Sequence, residues 1–180
     1  MNAKWITPVV TAFDVEGHVD LEANKRIYEH LIQGGMDGIL ILGSIGEFFA
    51  ISMEEKKKLI DTAVSYINKR VTLYVGTNCM ILKDCIELSN YAIEKGADAV
   101  MVISPYYFNL PHDSVINFYD QVADNVNGPV LLYNFPDRTG YDLSAQLILE
   151  LVRKHKNIVG IKDTVGTMGH TREILSLIHI

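Results

Sequence analysis

The sequence predicts a single α/β domain built around a parallel β-sheet that helices cover. Short apolar runs alternate with longer amphipathic segments, which is the pattern of repeated βαβ units. The spacings are 27 to 34 residues when they are counted from Ile6, Gly38, Thr72, Ala99, Val130 and Ile158, so the repeat is regular. The runs are apolar on both faces, as strands are when they lie in a covered parallel sheet. These three observations leave two architectures open, an eight-stranded barrel and an open doubly wound sheet.

Six apolar runs are the predicted strands. They are Trp5 to Thr11, Gly38 to Leu42, Val71 to Val75, Ala99 to Ile103, Val130 to Tyr133 and Ile158 to Lys162. The predicted helices between them are Asp20 to Gln33, Met53 to Lys69, Leu82 to Lys95, Asp113 to Asn125 and Ser144 to Lys154. Ser52 with Glu55 three residues later predicts a capping box, and Gly96 predicts a helix C-cap.

Chain length bears on the choice between the two architectures. Six units in 180 residues average about 30 each, so eight would need about 240, close to the typical barrel of about 250. If the fold is a barrel, its last two βα units are absent and the sequence stops at Ile180, inside a sixth helix. No linker or low-complexity stretch divides the chain, and we expect residues 1–180 to form one domain.

The composition indicates which partners to expect. The formal charge is −6 without a basic stripe, whereas nucleic-acid binding needs clustered Lys and Arg, so small molecules are the expected partners. No apolar run reaches the roughly 20 residues of a membrane span and no secretory signal is evident, which predicts a cytoplasmic protein. Cys79 and Cys85 are expected to be reduced packing residues. The six histidines lack a ligand spacing such as HExxH, and no dinucleotide fingerprint follows the first strand.

Lys162 ends the sixth apolar run and is the most informative candidate. A lysine at the end of a core strand is poorly hydrated, which disfavours the ammonium and leaves an amine that can attack a carbonyl. Such a lysine suits imine formation. The alternative is a lysine that extends to the sheet edge or pairs with Asp163.

The segment from Tyr133 to Gly140 follows the fifth strand. It places the phenol of Tyr133 at the carboxyl end of that strand, and Arg138 just beyond can grip a carboxylate with two hydrogen bonds. Taken singly, Tyr133 also fits a core aromatic and Arg138 a surface charge.

Two further loops follow strands two and four. In Gly43-Ser44-Ile45-Gly46-Glu47 the glycines let backbone amides approach an anion, and Ser44 adds a hydroxyl. Ser104 to Phe108 is an aromatic loop, typical of packing or of a subunit contact. All of these features follow the carboxyl ends of strands, where barrel enzymes place their sites. Together they predict class I aldolase chemistry, with imine formation, proton relay and carboxylate binding.

The ordered set of motifs resembles the dihydrodipicolinate synthase/N-acetylneuraminate lyase family. Gly-Ser-x-Gly-Glu, Pro-Tyr-Tyr, Tyr-Asn-x-Pro-x-Arg-Thr-Gly and Gly-Ile-Lys-Asp occur in that order, and the resemblance spans residues 5–175. It implies a (β/α)8 TIM barrel, here truncated after about six βα units, that lacks the end of the barrel and a C-terminal helical extension. It also implies a homotetramer that needs no metal and no organic cofactor.

The resemblance also implies a role for each site residue. Lys162 would condense with the keto group of pyruvate or another 2-keto acid, and Tyr133 would be the acid/base. Ser44 would pass protons between Tyr133 and Tyr107, the latter from a neighbouring subunit. Backbone amides of the loop Gly43, Ser44, Ile45 and Gly46 would hold the pyruvate carboxylate, and Arg138 would support the site near the incoming carboxylate.

Two branches of the family compete as the implied activity. Tyr-Asn-Phe-Pro and Gly-Ile-Lys-Asp-Thr, followed by Gly169-His170, look more like aldolases that cleave 2-keto-3-deoxy sugar acids to pyruvate and an aldehyde. Ile45 stands where the synthases usually carry a hydroxyl, whereas Arg138 matches the synthase, which condenses pyruvate with aspartate semialdehyde. A third alternative is a truncated, non-catalytic pyruvate-binding fragment. His170, beyond the sixth strand, has two interpretations: a residue that approaches the pocket or, as favoured here, a surface residue near a helix N-terminus.

Overall fold

The computed structural model describes residues 4–178, which contain one sheet of six parallel strands. The strands are β1 (Ile6–Pro8), β2 (Gly38–Ile41), β3 (Thr72–Gly76), β4 (Ala99–Ile103), β5 (Val130–Asn134) and β6 (Ile158–Asp163). The helices in these residues are α1 (Leu21–Gln33), α2 (Met53–Ile67), α3 (Leu82–Lys95), α4 (His112–Asn125), α5 (Pro136–Thr139), α6 (Ala145–Lys154) and α7 (Met168–Ile178). A short 3₁₀ turn spans Phe48–Ala50.

The order of the strands decides between the two predicted architectures. The strands follow one another in the sheet as they do in the chain, from β1 to β6, and every neighbouring pair is parallel. A doubly wound sheet reverses its strand order at a switch point, whereas a barrel keeps the order of the chain. The described residues therefore form six βα units in barrel order.

The predicted elements are all present, with differences at a few ends. The first strand, Ile6–Pro8, is shorter than Trp5 to Thr11. Beyond its end, the Thr11 hydroxyl donates a hydrogen bond to the Gly46 carbonyl, 2.7 Å away. The second helix ends at Ile67 rather than Lys69, since Asn68 and Lys69 adopt positive φ angles of 45° and 60°.

Sequence analysis did not predict α5, which is a single turn and too short to show a helical period. The two predicted caps are confirmed. Ser52 Oγ accepts a hydrogen bond from the Glu55 amide at 3.3 Å, and Gly96 ends α3 with a φ of 117°. Each cap satisfies backbone groups that would otherwise lack a partner at a helix end.

The core lies between the sheet and its helices. β2 and β4 are buried along their whole length, as expected of covered parallel strands. Both cysteines are free, with Cys85 buried and Cys79 half-buried. Among the described residues, no helix has both the length and the apolar character needed to cross a membrane.

A close backbone contact between β2 and β3 fixes the start of the loop that carries Ser44. Leu42 follows β2 with a φ of 54°, which turns its carbonyl oxygen toward Gly76 at the end of β3. A Cβ atom on Gly76 would lie 2.2 Å from that oxygen, so a larger residue does not fit there. The Asn78 side-chain amide also points at the same oxygen, at 3.5 Å.

We predict that Gly76→Ala destabilises the fold. The added methyl must displace the Leu42 backbone, and overpacking of this kind costs about 1–3 kcal/mol. Urea denaturation of the variant measures the loss. Gly166→Ala is the control, because a Cβ atom there meets nothing within 4 Å. Equal stability of the two variants would contradict the assignment.

Candidate active site

Lys162 and Tyr133 face each other across two neighbouring strands. They are partners in the parallel ladder between β5 and β6. The Lys162 Nζ lies 4.3 Å from the centroid of the Tyr133 ring, within the range of a cation–π contact. Tyr133 is almost fully buried, whereas Lys162 is half-buried rather than enclosed. The strand register thus brings an amine and a phenol together from positions 29 residues apart.

Ser44 reaches the same phenol from the loop after β2. Its Oγ lies 3.3 Å from the Tyr133 hydroxyl oxygen, and either group can donate the hydrogen bond. The hydrogen bond from the Thr11 hydroxyl to the Gly46 carbonyl holds the loop in place. Three of the four predicted catalytic side chains therefore form one chain of contacts, from Lys162 through Tyr133 to Ser44.

Two cavities border the two ends of this chain of contacts. The larger, of about 660 Å³, is lined by Ser44, Ile45, Phe48, Phe49, Ile103, Tyr106, Phe135 and Arg138. The smaller, of about 260 Å³, is lined by Ile6, Pro8, Leu40, Tyr74, Met101, Leu131, Ile161 and Lys162. Lys162 borders the smaller cavity and Ser44 the larger. Tyr133, which is almost fully buried, contacts both of these side chains.

The other predicted site residues differ in how far they are exposed. Tyr107 is 84% exposed and packs edge-on against Phe108, so within this chain it does not join Ser44 and Tyr133. Tyr106 lines the larger cavity instead. Arg138 is exposed beside that cavity, with its guanidinium carbon 5.5 Å from the centroid of the Phe135 ring. Gly43 and Gly46 are buried, and Ile45 is exposed.

His170 does not lie at the surface, the position that the sequence favoured. It is expected at the surface, but its side chain is 12% exposed and lies against Asp163, directly after Lys162. Its Nδ1 is 3.0 Å from both Asp163 carboxylate oxygens, and its Nε2 is 2.9 Å from the Leu143 carbonyl oxygen. Both partners only accept hydrogen bonds, so the protonated ring, in which both nitrogens donate, satisfies both contacts.

The environment shifts the pKa values of both members of this pair. Burial alone favours the neutral ring, but the hydrogen bonds to Asp163 and Leu143, with the charges of Asp142 and Asp163, raise the pKa of His170. Burial likewise opposes the charge on Asp163, yet hydrogen bonds from Thr171, Asn134 and His170 lower its pKa. Asp163 is thus engaged by these groups and is not the partner of Lys162 that the alternative interpretation required.

The sequence predicts the contact between Asp163 and His170 only in part. Asp163 follows Lys162, and strand alternation alone places its side chain on the opposite face. His170 lies seven residues further along, in α7, and no short motif links it to the strand. Among the described residues, no group of three or more His, Cys, Asp or Glu side chains is arranged to hold a metal ion. His179 lies outside the described residues.

Comparison with known proteins identifies the family. A model of the dihydrodipicolinate synthetase family matches residues 1–179. The chain belongs to this family. It is 40% identical over 170 residues to the Escherichia coli K12 protein named "Putative 2-dehydro-3-deoxy-D-gluconate aldolase YagE", covering 94% of this chain and 56% of that protein. It is 37% identical to the 4-hydroxy-tetrahydrodipicolinate synthase of Ligilactobacillus salivarius, covering 92% and 57% respectively.

Solved structures confirm the predicted barrel class. The crystal structure of YagE from E. coli K12 in complex with pyruvate matches with a TM-score of 0.93 and 38% identity, over 97% of this chain and 59% of that one. Dihydrodipicolinate synthase from Aquifex aeolicus matches with a TM-score of 0.92 and 31% identity, over 96% and 59%. The chain thus spans less than three fifths of these relatives. Completion of the barrel by two more βα units and a helical extension stays a prediction.

We predict that His170 makes stability depend on pH. Its raised pKa means that the hydrogen bonds stabilise the fold fully below the unfolded pKa of about 6.5 and are lost as pH rises through the folded-state pKa. Urea denaturation across this range will show a fall of about 1.5–3 kcal/mol, the contribution of hydrogen bonds to a charged group.

The His170→Gln variant is expected to lack this fall. His18→Gln serves as the control, because the His18 side chain is 74% exposed beside Glu55. An unchanged pH dependence in His170→Gln would show that the pair does not stabilise the fold through its charge.

Proposed function

We propose that this chain carries the catalytic centre of a class I aldolase that forms an imine between Lys162 and pyruvate or another 2-keto acid. The observation that carries the proposal is the continuous contact of amine, phenol and hydroxyl, with Lys162 Nζ 4.3 Å from the Tyr133 ring centroid and Ser44 Oγ 3.3 Å from the Tyr133 oxygen. Pyruvate binding alone would not call for all three groups. The pyruvate complex of YagE supports the substrate class.

The proposed reaction begins when the neutral Lys162 amine attacks the keto carbon. A carbon–nitrogen bond forms, and the amine proton passes to the former carbonyl oxygen by way of the Tyr133 hydroxyl. Tyr133 then donates a proton to that oxygen, which leaves as water, and the protonated imine remains. The imine withdraws electrons, so the bond between C3 and C4 can break in a longer 2-keto acid that carries a C4 hydroxyl. The Tyr133 phenolate takes the hydroxyl proton, the electron pair of the C3–C4 bond passes to the imine, and an aldehyde and an enamine result.

Proton transfer beyond Tyr133 is assigned to Ser44. Its position next to the phenol suits a relay, and Tyr107 of a neighbouring subunit is the proposed next member. Exposure of Tyr107, Phe108 and Phe49 at 84%, 65% and 65% supports a subunit contact at this face, in keeping with the expected homotetramer. A neighbouring subunit at this face would cover aromatic rings that are otherwise exposed to water.

The substrate carboxylate is assigned to the loop after β2. Backbone amides of Gly43, Ser44, Ile45 and Gly46 would donate hydrogen bonds to it, while Arg138 at the rim would attract the charged end of the second substrate. The reaction needs no metal or organic cofactor in this scheme, because the lysine imine serves as the electron sink. Nucleic acid and membranes have no part in it.

Between the two branches, we favour a 2-keto-3-deoxy sugar acid aldolase. Ile45 removes the hydroxyl with which a synthase would contact its substrate, and the 40% identity to YagE supports the same branch. The second candidate is 4-hydroxy-tetrahydrodipicolinate synthase. Arg138 favours it, because a guanidinium beside the larger cavity suits the carboxylate of aspartate semialdehyde.

We predict that Lys162→Ala abolishes covalent trapping of pyruvate. Borohydride reduces an imine to a stable secondary amine, so the full-length protein will gain the mass of one reduced pyruvate and the variant will not. Intact-mass spectrometry makes the measurement. Lys156→Ala, an exposed lysine before the same strand, is the control and is expected to trap normally. Trapping that persists in Lys162→Ala would overturn the imine, and a wild type that binds pyruvate without trapping would indicate a non-catalytic pocket.

We predict that the full-length protein consumes glyceraldehyde with pyruvate in preference to aspartate semialdehyde with pyruvate. The comparison is of kcat/KM for the two aldehydes, measured by loss of pyruvate. Arg138→Gln should then lower the rate with the semialdehyde more than with glyceraldehyde, since only the former carries a carboxylate. A higher kcat/KM for the semialdehyde would reverse the assignment.

A further inference from the structure

The strands that carry Tyr133 and Lys162 are also linked on their opposite face. Asn134 and Asp163 are the next ladder partners along β5 and β6. Because successive side chains of a strand point to opposite faces, these two project toward the helices while Tyr133 and Lys162 project toward the cavities. Each reacting side chain is therefore backed by a polar residue one position further along the same strand.

Hydrogen bonds close a ring behind the reacting pair. Asn134 Nδ2 donates to Asp163 Oδ1 at 2.9 Å, and His170 Nδ1 donates to Asp163 at 3.0 Å. His170 Nε2 donates to the Leu143 carbonyl at 2.9 Å, and the Leu143 amide donates back to Asn134 Oδ1 at 3.0 Å. The ring joins β5, β6, the segment before α6 and the first turn of α7.

The ring is buried and held by further polar contacts. Asn134 and Leu143 have exposed fractions of 1% and 0%, and the side chains of Asp163 and His170 have 7% and 12%. The Thr171 hydroxyl donates to Asp163 Oδ2 at 2.6 Å. Asp142, which accepts from Asn134 at 2.6 Å, lies 3.6 Å from His170 Nε2. The His170 ring thus faces the buried carboxylate of Asp163, where such contacts are strong, and the half-exposed carboxylate of Asp142.

We propose that Asn134, Asp163 and His170 are positioning residues that clamp β5 to β6, so that Tyr133 and Lys162 keep the separation that imine formation requires. The inference rests on the proposed function. None of the three contacts the cavities through which substrate would enter, so they act through Tyr133 and Lys162. Reacting groups must be held to within about 0.5 Å, and a displacement of about 1 Å can lower a rate about 100-fold.

The charge of His170 is part of the clamp. Loss of a proton removes one of its two donors and leaves a lone pair facing either the Asp163 carboxylate or the Leu143 carbonyl. The charged groups that face the ring are Asp163 on β6 and Asp142 before α6. Both are negative, so both favour the protonated ring, and the clamp is expected to loosen at alkaline pH.

The test compares two buried histidines on the full-length protein. His170→Gln removes the charge beside Lys162. His155→Gln is the matched control, because His155 also contacts two carboxylates, Asp120 at 2.6 Å and Asp124 at 3.4 Å, but precedes β6 at its other end. The measurements are the rate of imine formation with pyruvate, by rapid mixing, borohydride quench and mass spectrometry, and the KM for pyruvate.

We predict that His170→Gln slows imine formation about 10- to 100-fold with little change in KM, whereas His155→Gln loses stability but keeps the wild-type rate. A wild-type rate in His170→Gln would overturn the proposal. So would equal slowing in both variants, because the effect would then be general loosening of the fold.

Thr171→Val decides the matter if His170→Gln fails to fold. It removes one hydrogen bond to Asp163 and keeps the side-chain shape, and it should slow imine formation several-fold, whereas an unchanged rate would overturn the clamp. A wild type that traps no pyruvate at all would overturn the proposed function and the clamp together. Wild-type trapping with unaffected variants would overturn the clamp alone.

Discussion

The parallel register between β5 and β6 is the constraint on which the site depends. It pairs Tyr133 with Lys162 on one face and Asn134 with Asp163 on the other. A one-residue slip would turn every side chain of a strand to the opposite face, so the amine would point at the helices and the carboxylate into the cavity. Burial alone does not fix which face of β5 is inside, since Leu132 and Tyr133 point to opposite faces and are both enclosed. The polar ring then fixes the register from the helix side.

Most of the fold could be predicted from the sequence because its signals are local. Apolar runs, the Ser52 cap and the Gly96 cap each act over a few residues, and they mark five of the six strands to within a residue or two. The end of β1 could not be predicted in this way, because the apolar run continues beyond Pro8, where the chain leaves the ladder with β2. The choice of a barrel over a doubly wound sheet likewise depended on which strands pair, which periodicity does not report.

The same distinction between local signals and long-range contacts applies to the candidate site. Ser44, Tyr133 and Lys162 could be singled out because each directly follows or ends a predicted strand, and parallel strands bring their carboxyl ends to one edge. His170 could not, because its partners are Asp163 across a turn and the carbonyl of Leu143, 27 residues earlier. The neighbouring carboxylates that raise its pKa are brought together only by folding. Tyr107 is proposed to act on a neighbouring subunit, so no catalytic partner for it is expected within its own chain.

The contact between Leu42 and Gly76 has a consequence for altering what the enzyme accepts. The loop that begins at Leu42 contributes Ser44 and Ile45 to the larger cavity, so it is the natural segment to randomise in directed evolution. The direction of the backbone at the start of the loop is nevertheless set by the contact of the Leu42 carbonyl oxygen with Gly76 of β3. There is no room for a methyl group between the two. Mutational libraries can therefore vary the loop only while position 76 stays glycine. The range of sequences that the loop tolerates is thus limited by β3 rather than by the loop itself.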